Sequence, residues 1–108
     1  MSRGDVVIVA APGDYGKPRP AVIVQSDALP ASHASVVICQ MTSELAEADF
    51  RVTIDAGPET GLRVRSQVMA DKPVAVRRER IGERIGRLAA GDMAGLNVAI
   101  AFVMGLAG

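Results

Sequence analysis

At 108 residues the chain has the length of one ordinary domain, residues 1–108, and 49% hydrophobic against 22% charged residues argues against disorder. Aromatics are only 3%, so the core is aliphatic, and a nucleic-acid grip built on aromatic stacking has too little to work with. The formal net charge is zero, so any polyanion site must be local.

Val6 to Ala10 is a β-rich apolar run that stops before Pro12-Gly13, which reads as a first strand. Ala11 to Pro18 holds two prolines, two glycines and Asp14, and reads as a loop. Arg19 or Pro20 to Gln25 is a second strand, and Pro30 marks the connector from Ser26 to Ser32 as irregular. Ser35 to Thr42 is a third strand around Val36, Val37 and Ile38. Glu44 to Asp49 is an acidic loop or edge, and the alternation of Phe50 to Ile54 fits a half-buried strand. Gly57-Pro58 and Gly61 make Ala56 to Leu62 a turn. Ser66 to Ala70 and Val74 to Val76 read as two short strands broken at Lys72-Pro73. Arg77 to Glu83 has the composition of a helical turn, and Glu83 to Leu88 reads as a last strand. Met93, Leu96, Ile100 and Val103 recur at helical spacing, which predicts a helix from Ala90 to about Leu106. Many short strands followed by one terminal helix suggest a small, strongly curved antiparallel barrel.

Charge is unevenly spread. Residues 44 to 59 carry five carboxylates against Arg51 alone, whereas residues 63 to 87 carry Arg63, Arg65, Lys72, Arg77, Arg78, Arg80, Arg84 and Arg87 against three carboxylates. A basic stretch of this kind fits a polyanion, an acidic protein partner, or a solvated face with local ion pairs. Cys39 is the only cysteine, which excludes an intrachain disulfide, and its apolar flanks describe a buried, inert thiol. The N-terminus lacks a charged-then-apolar signal pattern, and no uncharged stretch suits a bilayer span. A cytoplasmic protein without a membrane partner is expected.

The candidate chemistry is sparse. His33 is the only histidine and sits among small loop residues, and the carboxylates show no metal-ligand spacing, so neither a metal nor another cofactor is expected. Neither a G-x-S-x-G nucleophile elbow nor a P-loop occurs. Arg19, flanked by Pro18 and Pro20, is a guanidinium on a stiff strand entrance. Its planar fork suits two phosphate oxygens, and the plain alternative is a solvated surface arginine.

Four segments recur in one known family in the same order: Arg3-Gly4-Asp5-Val6-Val7-Ile8-Val9, Gly16 to Gln25, Ile38 to Ser43, and Gly61 to Lys72. Through them the chain resembles MazF/PemK-type toxins of bacterial toxin–antitoxin pairs. The resemblance implies a mainly β, α+β fold, an SH3-like antiparallel barrel with a C-terminal helix of the CcdB/MazF type, and a homodimer. It implies metal-independent cleavage of single-stranded RNA by the substrate's own 2′-hydroxyl, leaving 2′,3′-cyclic phosphate and 5′-hydroxyl ends. On that pattern Arg19 carries transition-state charge and Thr42 hydrogen-bonds the scissile phosphate; a strand-end cap is the alternative for Thr42. Asp71 matches an aspartate that supports catalysis in some members. The arginine that accompanies it there aligns with Met69, so Arg65 or Lys72 is left to fill that charge role, or Arg19 and Thr42 act alone. Lys17, Arg65, Ser66, Gln67 and Lys72 are candidate RNA contacts. A cognate antitoxin with an acidic, flexible tail is the implied partner. The competing readings are a CcdB-like, non-enzymatic poison of DNA gyrase and an SH3-like binding module.

Overall fold

The computed structural model describes residues 1–10 and 17–107. The expected loop from Ala11 to Pro18 falls largely outside the described residues. The strands are β1 (Asp5–Val9), β2 (Arg19–Ile23), β3 (Ser35–Thr42), β4 (Arg51–Ile54), β5 (Ser66–Arg77) and β6 (Ile81–Arg87), followed by helix α1 (Ala90–Val103). All six belong to one sheet in the order β4-β5-β3-β2-β1-β6, and every pairing is antiparallel.

Alternation along the strands splits the core in two. Val6, Val22, Cys39, Met41, Val68 and Ala70 face α1, which adds buried Leu96 and Ala99. Val7, Val9, Ala21, Ile23, Val36, Ile38 and Val76 pack on the opposite face. Both faces are therefore buried over most of β1, β2 and β3, which is why these strands read as nearly unbroken Val/Ile runs. Burial pushes the Cys39 thiol up to about 11, with the Asp71 charge adding to the rise and Arg3 opposing it. At neutral pH the thiol is protonated and inert.

Strands β1, β2 and β4 shift by one or two residues at their ends, and three elements differ further from the sequence reading. The strand through Lys72-Pro73 is continuous over 12 residues. Cys39 pairs with Pro73 and Met41 with Val68, so two steps along β3 face five along β5, and the excess forms a bulge. Beyond Met69, β4 no longer flanks β5, so Pro73 lies where the strand has one neighbour and a missing N–H is tolerated. The helical turn shrinks to a single 3-10 turn, Arg78–Arg80, and β6 starts at Ile81. Helix α1 stops at Val103, because Gly105 at φ 71° lets Leu106 N–H reach the Ala101 carbonyl at 2.8 Å and its own N–H reach Phe102 at 3.2 Å. The apolar periodicity runs on past that point, which is why the sequence overstates the helix.

The barrel is closed by a loop rather than by a sixth ladder. Strands β4 and β6 lie at opposite ends of the strand order. The segment between β4 and β5 spans the seam: Arg87 N–H donates to the Glu59 carbonyl at 2.8 Å, and Gly57 bridges to Leu62. Backbones meet at two glycines there. A Cβ on Gly86 would overlap the Thr60 backbone, and one on Gly61 would overlap the Ile85 carbonyl. On the β1 side of the same Arg87, Asp5 is buried and accepts from Ser2 N–H at 2.8 Å, Arg87 at 3.1 Å and Arg84 at 3.1 Å. Burial raises the Asp5 pKa. The Ser2 amide and the two guanidinium groups outweigh it, and the net shift is below 3.8.

Gly86→Ala should destabilise the fold by about 1–3 kcal/mol or more through overpacking at the seam. Gly91→Ala, in the first turn of α1 with open space around it, should be neutral or stabilising by up to about 1 kcal/mol. Chemical unfolding of both variants measures the difference. The Asp5 contribution is present above about pH 3.8 and is lost as pH falls through its lower folded value. Asp5→Asn should therefore lower stability at pH 7 by about 1–3 kcal/mol and flatten the acid limb of a stability–pH profile.

Candidate active site

Strand register brings the distant sequence segments onto one face. Ala21 pairs with Gln40, Thr42 with Gln67, and Arg51 with Met69. With side chains alternating, Arg19, Gln40, Thr42, Gln67, Met69 and Arg51 all lie on the face opposite α1. That face is apolar around Ile23, Val36 and Ile38 and turns polar where β2 begins and β3 ends. Continuing the β2–β3 register by two residues sets Arg19 level with Thr42.

A depression of roughly 250 Å³ opens at this polar end. Arg19 and Thr42 line it together with Gln40 and Met41 of β3, Ser43 and Glu44 just beyond, and Met69 of β5. Arg19 is exposed, on the strand entrance that Pro20 stiffens. Thr42 is half-buried, and its Oγ1 accepts the Glu44 N–H at 3.1 Å. The local cap anticipated for Thr42 thus exists. It occupies a lone pair and leaves the hydroxyl hydrogen to donate.

The loop after Thr42 is fastened from below. Gln67 is buried; its amide donates to the Ala46 carbonyl at 2.9 Å and to Thr53 Oγ1 at 3.1 Å, and its Oε1 accepts Ala46 N–H at 2.9 Å. Ser66 is buried as well and donates to the Val64 carbonyl at 3.0 Å. Ser66 and Gln67, expected as RNA contacts, both turn polar atoms to neighbouring backbone, because each sits in the paired start of β5. Gln67 positions the rim of the depression instead.

The remaining candidates are dispersed. Lys17 is exposed just before Arg19. Arg65 is exposed and pairs with Asp55 at 3.3 Å, and exposed Lys72 sits in the β5 bulge. Asp71 occupies the same bulge, with Oδ1 buried and no hydrogen-bond partner among the described residues. None of Lys17, Arg65, Asp71 and Lys72 lines the depression. The basic stretch is also divided: Arg84 and Arg87 hold Asp5, Arg78 donates to the His33 carbonyl at 2.8 Å, and Arg80 to the Ala10 carbonyl at 3.1 Å. His33 is exposed, as its loop position suggests. The structure adds Gln40, Ser43, Glu44 and Arg51 to the neighbourhood. Gln40 was detectable as the residue two before Thr42 on the same strand, whereas Arg51 depends on a β4–β5 register that no local pattern encodes.

The geometry has clear relatives. Residues 2–104 match the family described as PemK-like, MazF-like toxin of type II toxin–antitoxin systems. A probable endoribonuclease MazF of Mycolicibacterium smegmatis is 39% identical over 109 residues, covering 100% of both chains. The Mycobacterium tuberculosis toxin MazF-mt6 superposes with a TM-score of 0.84 at 23% identity, over 96% of this chain and 99% of that one. A mycobacterial endoribonuclease solved in complex with its cognate antitoxin gives 0.81 at 24% identity, over 100% and 98%. A MazE–MazF crystal structure from Deinococcus radiodurans gives 0.79 at 21% identity, over 99% and 98%. The solved structures bear on the fold and the sequence match on kinship, and together they place this chain in the PemK-like, MazF-like family of type II toxins.

Proposed function

We propose that this toxin is an endoribonuclease that cleaves single-stranded RNA by metal-independent transesterification at the Arg19–Thr42 depression. The observation that carries the reading is the convergence of those two side chains, 23 positions apart in sequence, in one depression at the end of the β2–β3 ladder. The likeness to a probable endoribonuclease MazF supports it.

The chemistry asks little of the protein. The RNA 2′-oxygen loses its proton and bonds to phosphorus, the bond from phosphorus to the 5′-oxygen breaks, and that oxygen takes up a proton. The products are a 2′,3′-cyclic phosphate and a 5′-hydroxyl. The protein must hold the backbone in line and meet the extra negative charge of the phosphorane. Arg19 carries that charge and is the candidate donor to the departing oxygen. The Thr42 hydroxyl donates to a non-bridging phosphate oxygen. Among the described residues, no three His, Cys, Asp or Glu side chains gather as a metal-binding group.

Lys17 extends the cationic path beside Arg19. Exposed Arg65 and Lys72 reach phosphates farther along the strand. Asp71 supports the reaction from the β5 bulge, outside the depression. A cognate antitoxin covering the RNA site fits the complexes of the structural relatives. A homodimer accounts for α1, whose residues Val98 and Phe102 remain 71% and 49% exposed, with Met104 and Leu106 beside them. An uncharged apolar surface of that kind is a contact surface. Among the described residues no helix is long and apolar enough to cross a membrane, which is consistent with action in the cytoplasm.

The wild-type protein, freed of antitoxin, should cut a long single-stranded RNA in the presence of a chelator and leave cyclic-phosphate ends. Arg19→Ala should lower the rate by about 100- to 1,000-fold. Intact RNA after incubation with folded wild-type protein would refute the reading and turn attention to gyrase binding. Light scattering should report a dimer for wild type and a monomer for Phe102→Glu; a wild-type monomer would refute the dimer.

A further inference from the structure

We propose that Arg51 binds a phosphate of the RNA backbone beside Arg19 and Thr42, taking from β4 the charge role that Met69 leaves unfilled on β5. The inference rests on the proposed ribonuclease site and adds a residue that the chain's motifs do not single out.

Register supplies the first argument. Arg51 pairs directly with Met69, so the two side chains stand next to each other on one face of the sheet. Met69 is part of the wall of the depression, and Arg51, its partner across the β4–β5 ladder, lies just behind that wall. A second argument comes from the guanidinium itself. Its Nη1 lies 3.3 Å from the Glu44 carbonyl and 3.5 Å from Gln67 Oε1, which ties it to the loop that forms the rim. Both acceptors are neutral. Although Arg51 lies between acidic segments in sequence, it forms no ion pair with a carboxylate among the described residues. Its Nε is buried and has no acceptor there. A guanidinium offers five N–H donors, and leaving a charged donor desolvated without an acceptor is unfavourable. A phosphate at the rim, where Glu44 lines the depression, supplies the countercharge that these neutral acceptors do not.

The two residues that sequence reasoning offered for this role are not neighbours of Met69 in the β4–β5 ladder: Arg65 precedes β5 and pairs with Asp55, and Lys72 lies in the bulge. A purely structural Arg51, which only anchors the Glu44 loop, is the competing explanation, and charge distinguishes them. Arg51→Gln keeps an amide to bond the Glu44 carbonyl and removes the charge.

The probe is a 2′-O-methylated oligonucleotide carrying a cut site mapped with the wild-type protein, so that binding is read without cleavage. Arg51→Gln should weaken binding roughly tenfold and make the log affinity against log salt slope shallower by about 0.7, the value for one phosphate contact on a single strand. Arg51→Lys should keep the slope. Met69→Arg in the Arg51→Gln background should restore it, since the charge returns on the neighbouring strand. If Arg51→Gln melts, Arg51→Met with the same Met69→Arg rescue is read in its place. An unchanged slope in the folded neutral variant, whatever happens to the cleavage rate, would overturn the proposal and leave Arg51 as a loop anchor. Arg19→Ala run in the same assay separates the two levels. If it too changes nothing, the site itself is wrong; if it weakens binding while Arg51→Gln does not, the inference alone fails.

Discussion

The pairing of β3 with β5 is the constraint on which the site and the fold both depend. It runs from Ser35–Arg77 at one end to Thr42–Gln67 at the other, with the bulge between Cys39 and Met41. A bulge adds twist and bends the strand that carries it. Below the bulge, β5 offers its second edge to β4; above it, that edge pairs with no strand among the described residues. One strand thereby joins the helix-facing core to the opposite face. Removing the excess residues would shift the register by an odd number and send Gln67 and Met69 to the side of α1.

From that register follows a division of labour among polar groups. Gln67 satisfies both backbone groups of Ala46 and so places the rim of the depression through a buried network. Thr42 caps Glu44 while its hydroxyl stays able to donate. Asp5 pairs with both Arg84 and Arg87 beside the seam and so offsets part of their charge. A neutral protein can in this way present a small cationic site without a general field. The result is local phosphate contact rather than long-range steering.

Much of this was legible in the residues. The apolar runs of β1, β2 and β3 and the spacing in α1 announce themselves, because burial on two faces or on one helical stripe leaves a local period. The segment order carried the family and with it Arg19 and Thr42. Reading failed where the controlling contact was distant. Pro73 looks like a strand breaker, yet beyond Met69 the strand has one neighbour and the missing N–H costs no ladder bond. Gln67 looks like a surface polar residue of a half-buried strand, yet β3 and β4 flank it on both sides, and Ser66 beside it is buried in the β4 pairing.

The sequence by itself determined the strand-rich architecture, the terminal helix, the inert buried cysteine, and the stiff Arg19 entrance, since each is set by residues within a few positions of one another. Only the tertiary structure decided that Thr42 stands level with Arg19, that Met69 walls their depression, and that Arg51 lies beside Met69. These relations join segments tens of residues apart through ladder register. Register is set by packing on both faces and by bulges, which no single strand records.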